Sequence, residues 1–237
     1  MLKINSSGLP IAITQGDSAG IGPETIVQAF RDAPELLRGC FVVGEVATLR
    51  RAAACVLRPG EPLVPLAVLD HPAQAWEAPP RCVPLWPVPD LPGPQPWGQV
   101  SALAGQAAGQ CVQWAARAAL RGEVAALVTA PLHKEALAAA GFCYPGHTEL
   151  LQAEAAQHAG VPLAQMPVRM MLANDELRVV LVSIHVALRQ ALEAVTFAQV
   201  LQTLEITHHA LARVLGRAPR IAVAGLTFSE TAGENNA

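Results

Sequence analysis

The chain has 237 residues, of which 52% are apolar and 15% charged, and its formal net charge is −3. This apolar content excludes a disordered chain and indicates a folded protein with a sizeable core. The small negative charge, without a cluster of lysine and arginine, argues against nucleic acid as a partner. No stretch approaches the roughly 20 apolar residues of a bilayer helix, and the first residues lack an apolar signal core, so we expect a cytoplasmic protein.

The five cysteines lie far apart and include no C-x-x-C pair. An odd number at wide spacing does not suit a disulfide framework or a zinc site. The sequence therefore predicts buried, reduced thiols at Cys40, Cys55, Cys82, Cys111 and Cys143.

The first predicted strand, residues 10–14, leads into the glycine-containing loop 15–22 and then a helix opened by Pro23. The glycines permit close backbone approach. Their spacing matches neither the G-x-G-x-x-G dinucleotide fingerprint nor a P-loop, so neither nucleotide motif is supported.

The same loop contains a competing match to a serine hydrolase. Residues 16–20 fit G-x-S-x-G with Ser18 as the nucleophile, and Asp175 and His185 follow in the chain order of an α/β-hydrolase. Such a nucleophile turn normally follows several strands, whereas this one follows the first strand, with no upstream segment to supply the second oxyanion donor. A hydrolase at Ser18 is therefore a remote alternative.

Strands are predicted at 41–44 and 63–69, with helices at 46–57 and 99–121. Between Pro59 and Pro96 lie twelve of the twenty prolines, so residues 71–97 are predicted to run as extended or turn segments over the surface. We interpret that stretch as a long connection or a dimer contact. Strands that alternate with helices imply a largely parallel, doubly wound sheet.

A polar cluster is predicted where the next helices begin. A buried strand at 124–129 stops at Pro131, a helix follows at 134–140, and a turn leads to a helix at 149–158 with Thr148 as its N-cap. Unpaired N–H groups at such helix starts suit an anionic or polyhydroxylated small molecule, although polar residues there equally often only cap the helices. The residues concerned are His133, Lys134, His147, Thr148 and Glu149.

Residues 168–173 and 177–184 are predicted to form a hairpin, after which His185 emerges at the end of the second strand. Because imidazole is the commonest metal ligand and ligands collect where strands end, His185 is the best candidate for a metal site. The alternative is an ordinary core or interface histidine. Thr196 is predicted to cap a helix at 197–215 that ends at Gly216, before a last strand at 220–225.

Four ordered segments carry a resemblance to a known family. They read IAITQGDSAGIGPE at 11–24, GQVSALAG at 98–105, TAPLHKEAL with YPGHTELL at 129–151, and MMLANDELRVVLVSIHVALRQ at 170–190. Together they closely resemble the 4-hydroxythreonine-4-phosphate dehydrogenase family, whose members are NAD-dependent enzymes of pyridoxal phosphate biosynthesis. The resemblance runs from Ile11 to about Gly225.

This resemblance implies an α/β, two-lobed α/β/α fold like isocitrate and isopropylmalate dehydrogenases, with largely parallel sheets, lobes at 1–128 and 129–237, and a homodimer. It implies NAD and a divalent metal (Zn, Mg or Co) as cofactors. The expected reaction is oxidation and decarboxylation of 4-phosphooxy-L-threonine. His147 and Thr148 would contact the substrate, His185 would bind the metal, and His133 and Lys134 are weaker candidates.

The sequence departs from the family after the last predicted strand. The family motif G-L-N-P-H-A-G-E carries a second metal histidine, whereas this chain reads GLTFSETAGE at 225–234 and offers no third histidine afterwards. A three-histidine site is therefore incomplete, and the segment expected to complete the first lobe is absent. The alternatives are a truncated homologue without activity, or a sister dehydrogenase acting on another phosphorylated hydroxy acid or a cis-dihydrodiol.

Overall fold

A computed structural model describes residues 8–88, 95–184 and 186–225. They belong to two compact units that divide between Pro167 and Val168. The predicted lobes at 1–128 and 129–237 refer to the complete family fold, and that boundary stays a prediction.

The first unit contains a five-stranded sheet in which every pair is parallel. Its order across the sheet is β3-β4-β2-β1-β5. Helices follow most strands, as the alternating pattern in the sequence predicts. The strands are β1 (Ile11–Thr14), β2 (Cys40–Gly44), β3 (Leu66–Val68), β4 (Val83–Pro87) and β5 (Ala126–Thr129).

Helices cover both faces of this sheet. Alternate residues of β2 enter two different cores, with Val42 in one and Phe41 and Val43 in the other. The first core is completed by α1 and α2, and the second by α3, so the sheet has the two buried faces typical of a doubly wound fold. The helices are α1 (Gly22–Asp32), α2 (Val46–Cys55), α3 (Ala102–Leu120), α4 (Lys134–Ala139) and α5 (His147–Ala159).

The prediction that residues 71–97 form only extended and turn segments over the surface was wrong. They include a short 3₁₀ helix at Pro72–Trp76 and the inner strand β4. Pro84 is tolerated there because the N–H groups of an inner strand point alternately to its two neighbouring strands. Val83 donates to Pro65 O before β3, and pairing with β2 begins only at Leu85, so Pro84 lies where no β2 partner is paired.

The second unit, from residue 168, contains an antiparallel hairpin and two helices. The predicted hairpin is confirmed as β6 (Met171–Ala173) and β7 (Arg178–Val180). Helix α6 (Leu188–Ala194) was not predicted. Helix α7 (Phe197–Leu215) has the predicted boundaries, with Thr196 Oγ1 accepting from Gln199 N at 3.3 Å and a left-handed Gly216 after its end.

The predicted last strand at 220–225 was wrong, because these residues form no strand in the structure. An apolar run becomes a strand only when a neighbour pairs with its backbone, and none of the described strands does so here. None of the helices in the ranges that the structure describes is long and apolar enough to cross a membrane.

The cysteine prediction holds for three of the five residues. Cys40, Cys82 and Cys111 are buried, and burial raises the pKa of each thiol, for Cys111 to about 12. Cys55 and Cys143 are exposed, so the prediction was wrong for them. All five are free, in agreement with the absence of a disulfide framework.

Candidate functional site

The order of the strands places a candidate site at the carboxyl ends of β1 and β5. The chain leaves β1 towards β2 on one side and reaches β5, on the other side, only after β3 and β4. This reversal is a topological switch point, the position where open α/β sheets bind ligands. The loop 15–21 and the segment 130–133 leave the sheet at this edge.

The glycines of the first loop serve contacts within the protein. Gly16 has φ of +71°, and a Cβ on it would lie 2.3 Å from Pro131 O. Asp17 N donates to the same Pro131 oxygen at 2.9 Å. A Cβ on Gly22 would lie 2.6 Å from Gln15 O. The close approach that Gly16 allows is therefore to the segment after β5, and the one that Gly22 allows is to the start of its own loop.

Ser18 does not have the setting of a catalytic nucleophile. Its side chain is 0% exposed, and its Oγ has no hydrogen-bond partner among the described residues. The backbone oxygen of Ser18 accepts from Arg51 Nη2 at 2.5 Å, which holds the loop against α2. A nucleophile needs both access to substrate and a base within hydrogen-bond reach. The described structure therefore gives no support to the hydrolase alternative.

His133 acts as the N-cap of α4. Its Nδ1 accepts from Ala136 N at 3.4 Å, so one of its two ring nitrogens is used by the helix. Capping was the alternative to ligand binding at these helix starts, and for His133 it is the role that the structure shows. Lys134, the first residue of α4, is exposed.

The amino end of α5 has no side-chain cap. The helix begins at His147 with Gly146 as its N-cap, so the prediction that Thr148 caps it was wrong. Thr148 instead lies in the first turn, where its hydroxyl is not committed to capping. An uncapped helix start presents free N–H groups, which can donate hydrogen bonds to an anion.

The starts of α4 and α5 lie beside each other. A Cβ on Gly146 would lie 3.9 Å from Lys134 Cε and 3.8 Å from Glu149 Oε2. A cation, a carboxylate and the open end of α5 are thus brought together, although Lys134 and His147 are thirteen positions apart in the sequence.

His147 is a partly buried imidazole with a free nitrogen. Its Nε2 is buried and has no hydrogen-bond partner within the described ranges. Burial lowers the pKa of His147, because the charged ring loses hydration. The neutral ring can therefore hydrogen-bond a ligand without adding a positive charge.

A family model described as "Pyridoxal phosphate biosynthetic protein PdxA" matches residues 37–236. The chain belongs to the PdxA family. This confirms the resemblance that the four sequence segments carry.

Relatives in the PdxA family are similar over nearly the whole chain. A 4-hydroxythreonine-4-phosphate dehydrogenase of Trichlorobacter lovleyi is 39% identical over 227 residues, which cover 94% of this chain and 64% of the relative. A D-threonate 4-phosphate dehydrogenase of Salmonella typhimurium is 42% identical over 231 residues, covering 95% and 65%. The chain therefore spans a little less than two thirds of the length of these curated relatives.

A crystal structure gives the same result for the fold. The 4-hydroxythreonine-4-phosphate dehydrogenase of Klebsiella pneumoniae is 37% identical, with a TM-score of 0.74, and the match covers 87% of this chain and 60% of that one. The predicted isocitrate and isopropylmalate dehydrogenase-like α/β fold of the PdxA family is confirmed.

The predicted metal ligand His185 lies outside the described residues. Within residues 8–88, 95–184 and 186–225, no group of three or more His, Cys, Asp and Glu side chains could hold a metal ion. Structural metal sites require three or four such ligands in one place. The described residues therefore assemble no complete metal site by themselves, and we derive no step of a reaction through a metal.

Sequence reasoning missed the residues that support this site in the PdxA fold. Gln15, fully buried, accepts from Glu45 N at 2.7 Å and ties the end of β1 to the end of β2. Arg117 of α3 pairs with Glu154 of α5 at 2.7 Å. A glutamine that directly follows a buried strand was the available signal for the first. Nothing local signals the second, because its two partners lie on different helices.

Proposed function

We propose that this chain supplies substrate-binding residues for an oxidoreductase of pyridoxal phosphate biosynthesis. The proposed net reaction is NAD-dependent oxidation and decarboxylation of 4-phosphooxy-L-threonine. Membership of the PdxA family and the names of its relatives support this class of enzyme. The observation that carries the proposal is the uncapped start of α5 beside Lys134.

The substrate proposal follows from the chemistry at the two helix starts. A phosphate or carboxylate is attracted by the Lys134 ammonium and by the N–H groups of α5. The Thr148 hydroxyl and the neutral ring of His147 can each donate to or accept from a substrate hydroxyl. Assignment of His147 and Thr148 to substrate contact rests on this chemistry and on the resemblance.

The proposed cofactors are NAD and a divalent metal, with Zn, Mg or Co as the candidates and His185 as one ligand. A homodimer is proposed on the same basis. Support for all three comes from the resemblance, since the described residues assemble no three-ligand group.

Replacement of Thr148 by Val tests the substrate site. The valine keeps the shape of threonine but removes the hydroxyl, so we expect about tenfold weaker binding of 4-phosphooxy-L-threonine, which corresponds to about 1.4 kcal/mol. Titration calorimetry with the full chain measures this. Thr25→Val, at an exposed position of α1, is the matched control and should leave the affinity unchanged. Equal affinities for wild type and Thr148→Val would contradict the assignment.

Turnover is measured separately from binding. Formation of NADH from NAD and substrate, with Zn²⁺, Mg²⁺ or Co²⁺ added in turn, distinguishes an active dehydrogenase from a homologue that binds substrate without chemistry. Binding without NADH formation would support the inactive homologue.

D-threonate 4-phosphate is the second candidate substrate, because the Salmonella typhimurium relative that is 42% identical carries that name. The two ligands differ next to the carboxylate, where one carries an ammonium and the other a hydroxyl. The Glu149 carboxylate, near the start of α5, favours the ammonium. Comparison of the two affinities in wild type and in Glu149→Gln decides between the candidates: only amino-acid binding should weaken.

A further inference from the structure

Four residues of α3, Gly105, Gly109, Gln113 and Arg117 in that order, face α4, Phe142 and α5, the part of the chain that carries the candidate site. At intervals of four, these residues lie along a single ridge of the helix. A Cβ on the first would lie 1.9 Å from Ala136 O of α4, and on the second 2.3 Å from the Phe142 ring, so there is no room for side chains. The row consists of Gly105, Gly109, Gln113 and Arg117.

The second half of this row holds α5 through one carboxylate. Arg117 Nε donates to Glu154 Oε2 at 2.7 Å and Nη2 donates to Oε1 at 3.1 Å. Gln113 Nε2 also donates to Oε1, at 2.9 Å. Glu154 is only 5% exposed, and a buried carboxylate is costly unless such donors satisfy it. The hydrogen bond to Glu154 also raises the pKa of Arg117, which stays charged.

Glu154 and His147 lie on the same side of α5. They are seven residues apart, two helical turns, or about 10.5 Å along the axis. Leu150, between them, is fully buried. A helix segment of this length moves as a unit, so a rotation at Glu154 displaces His147 and Thr148 as well.

We infer that the contact of Gln113 and Arg117 with Glu154 is a positioning element of the candidate site, which sets the rotation and height of α5 on α3. It thereby determines where His147 and Thr148 lie beside Lys134. A forked arginine and carboxylate pair fixes direction as well as distance, whereas apolar contacts allow a helix to slide or rotate. The three residues act through α5.

The inference rests on the proposed function for its ligand, but the environment of His147 can be measured without a ligand. In the full chain, Glu154→Gln removes the negative charge that the guanidinium of Arg117 binds. NMR pH titration of the His147 ring, assigned with His147→Gln, should show its pKa rising towards the ordinary value. Calorimetry should show about tenfold weaker binding of 4-phosphooxy-L-threonine.

Two further variants test whether the effect on His147 and on binding depends on the contact with Glu154. Arg117→Lys keeps the charge but loses the fork, so both effects should be intermediate. Glu123→Gln removes the exposed pair of Arg121 and Glu123 just after the same helix, where Arg121 Nε lies 2.6 Å from Glu123 Oε1. This matched control should leave the His147 pKa and the affinity as in wild type.

A folded Glu154→Gln variant with an unchanged His147 titration overturns the inference, whatever its thermal stability. If that variant does not fold, Gln113→Ala, which leaves the ion pair in place, gives the same readout with a smaller expected shift, and an unmoved His147 again overturns it. A shifted His147 pKa in a chain whose wild type binds no phosphorylated hydroxy acid supports the positioning role and contradicts only the proposed function.

Discussion

The two compact units use their apolar residues differently. In the first, the core is built from both faces of the sheet, with Phe41, Val43 and Leu85 fully buried. In the second, from residue 168, the only described residues that are buried are Thr203 and Thr207. Large apolar side chains such as Leu188, Phe197 and Val214 stay exposed there.

Side-chain hydrogen bonds connect the start of the hairpin to α7 within the second unit. Arg169, just before β6, donates to Thr203 Oγ1 at 2.8 Å, Gln202 Oε1 at 2.7 Å and Gln199 Oε1 at 2.9 Å, all on α7. Hydrogen bonds that are partly buried or exposed contribute less net stability than burial of a large apolar side chain. Among the described residues, apolar side chains are therefore buried where helices cover both faces of a sheet, and they are largely exposed in the second unit.

Hydrogen exchange should show the largest difference between the units. Amides of β2 open only with the sheet, whereas those of β7 belong to a two-stranded hairpin without a buried face. We expect exchange at β7 to be at least about 100-fold faster, by mass spectrometry of peptides from the two regions. Equal protection would contradict the distinction between the units.

Two phenylalanines provide a matched pair for stability. Phe41 is 0% exposed and lies against Trp114 at 6.0 Å between ring centroids, whereas Phe197 is 84% exposed. Phe41→Ala should lower the free energy of unfolding by about 3–5 kcal/mol, and Phe197→Ala by less than about 0.5 kcal/mol. Urea denaturation followed by tryptophan fluorescence measures both. A large loss in Phe197→Ala would show that this side chain is covered in solution.

Gly105→Ala tests the close packing of α3 on α4 within the first unit. The added methyl group would meet the backbone of Ala136, which cannot move like a flexible side chain. We expect a loss of about 1–3 kcal/mol, although alanine is ordinarily the better helix former. Gln106→Ala, on the exposed side of the same helix, is the control for thermal denaturation and should change little. A stabilised Gly105→Ala would refute the packing.

The smallest expected effect is the pH dependence that His147 contributes. Its folded pKa lies below the ordinary value near 6.5, so in that window the unfolded chain binds more protons than the folded chain. The free energy of unfolding therefore decreases as the pH falls from about 6.5 to the folded pKa, and this contribution is constant below it. Urea denaturation of wild type and His147→Gln across this range measures how their difference in stability changes with pH, and that change should vanish above about pH 7. A wild type that gains stability on acidification, relative to His147→Gln, would reverse the sign and contradict burial of this ring.

Much of the first unit could be predicted, because its signals are local. Short apolar runs identified β1, β2 and β5, and Pro23 marked the start of α1. The failure at β4 has a physical cause. Each proline lacks a backbone N–H group. Whether the sheet needs a hydrogen bond at that position depends on the register of the neighbouring strands, which cannot be read from the sequence.

The candidate site was predicted only in part. Its location at the starts of α4 and α5 followed from glycine, proline and polar residues at a predicted strand end. The individual roles did not follow, since His133 became the cap and Gly146, not Thr148, precedes α5. A threonine near a helix start can be the N-cap or lie in the first turn, and which it is depends on whether the helical backbone begins before or after it.

The sequence by itself determined the family, the alternation of strands and helices, and the helix ends at Thr196 and Gly216, because each depends on residues close together in the chain. Tertiary structure alone decided that β4 is an inner strand, that Gly16 makes room for Pro131, and that Glu154 is held from α3. Each of these depends on a partner distant in sequence. Such partners are brought together only by burial of the sheet and its helices, which no local pattern records.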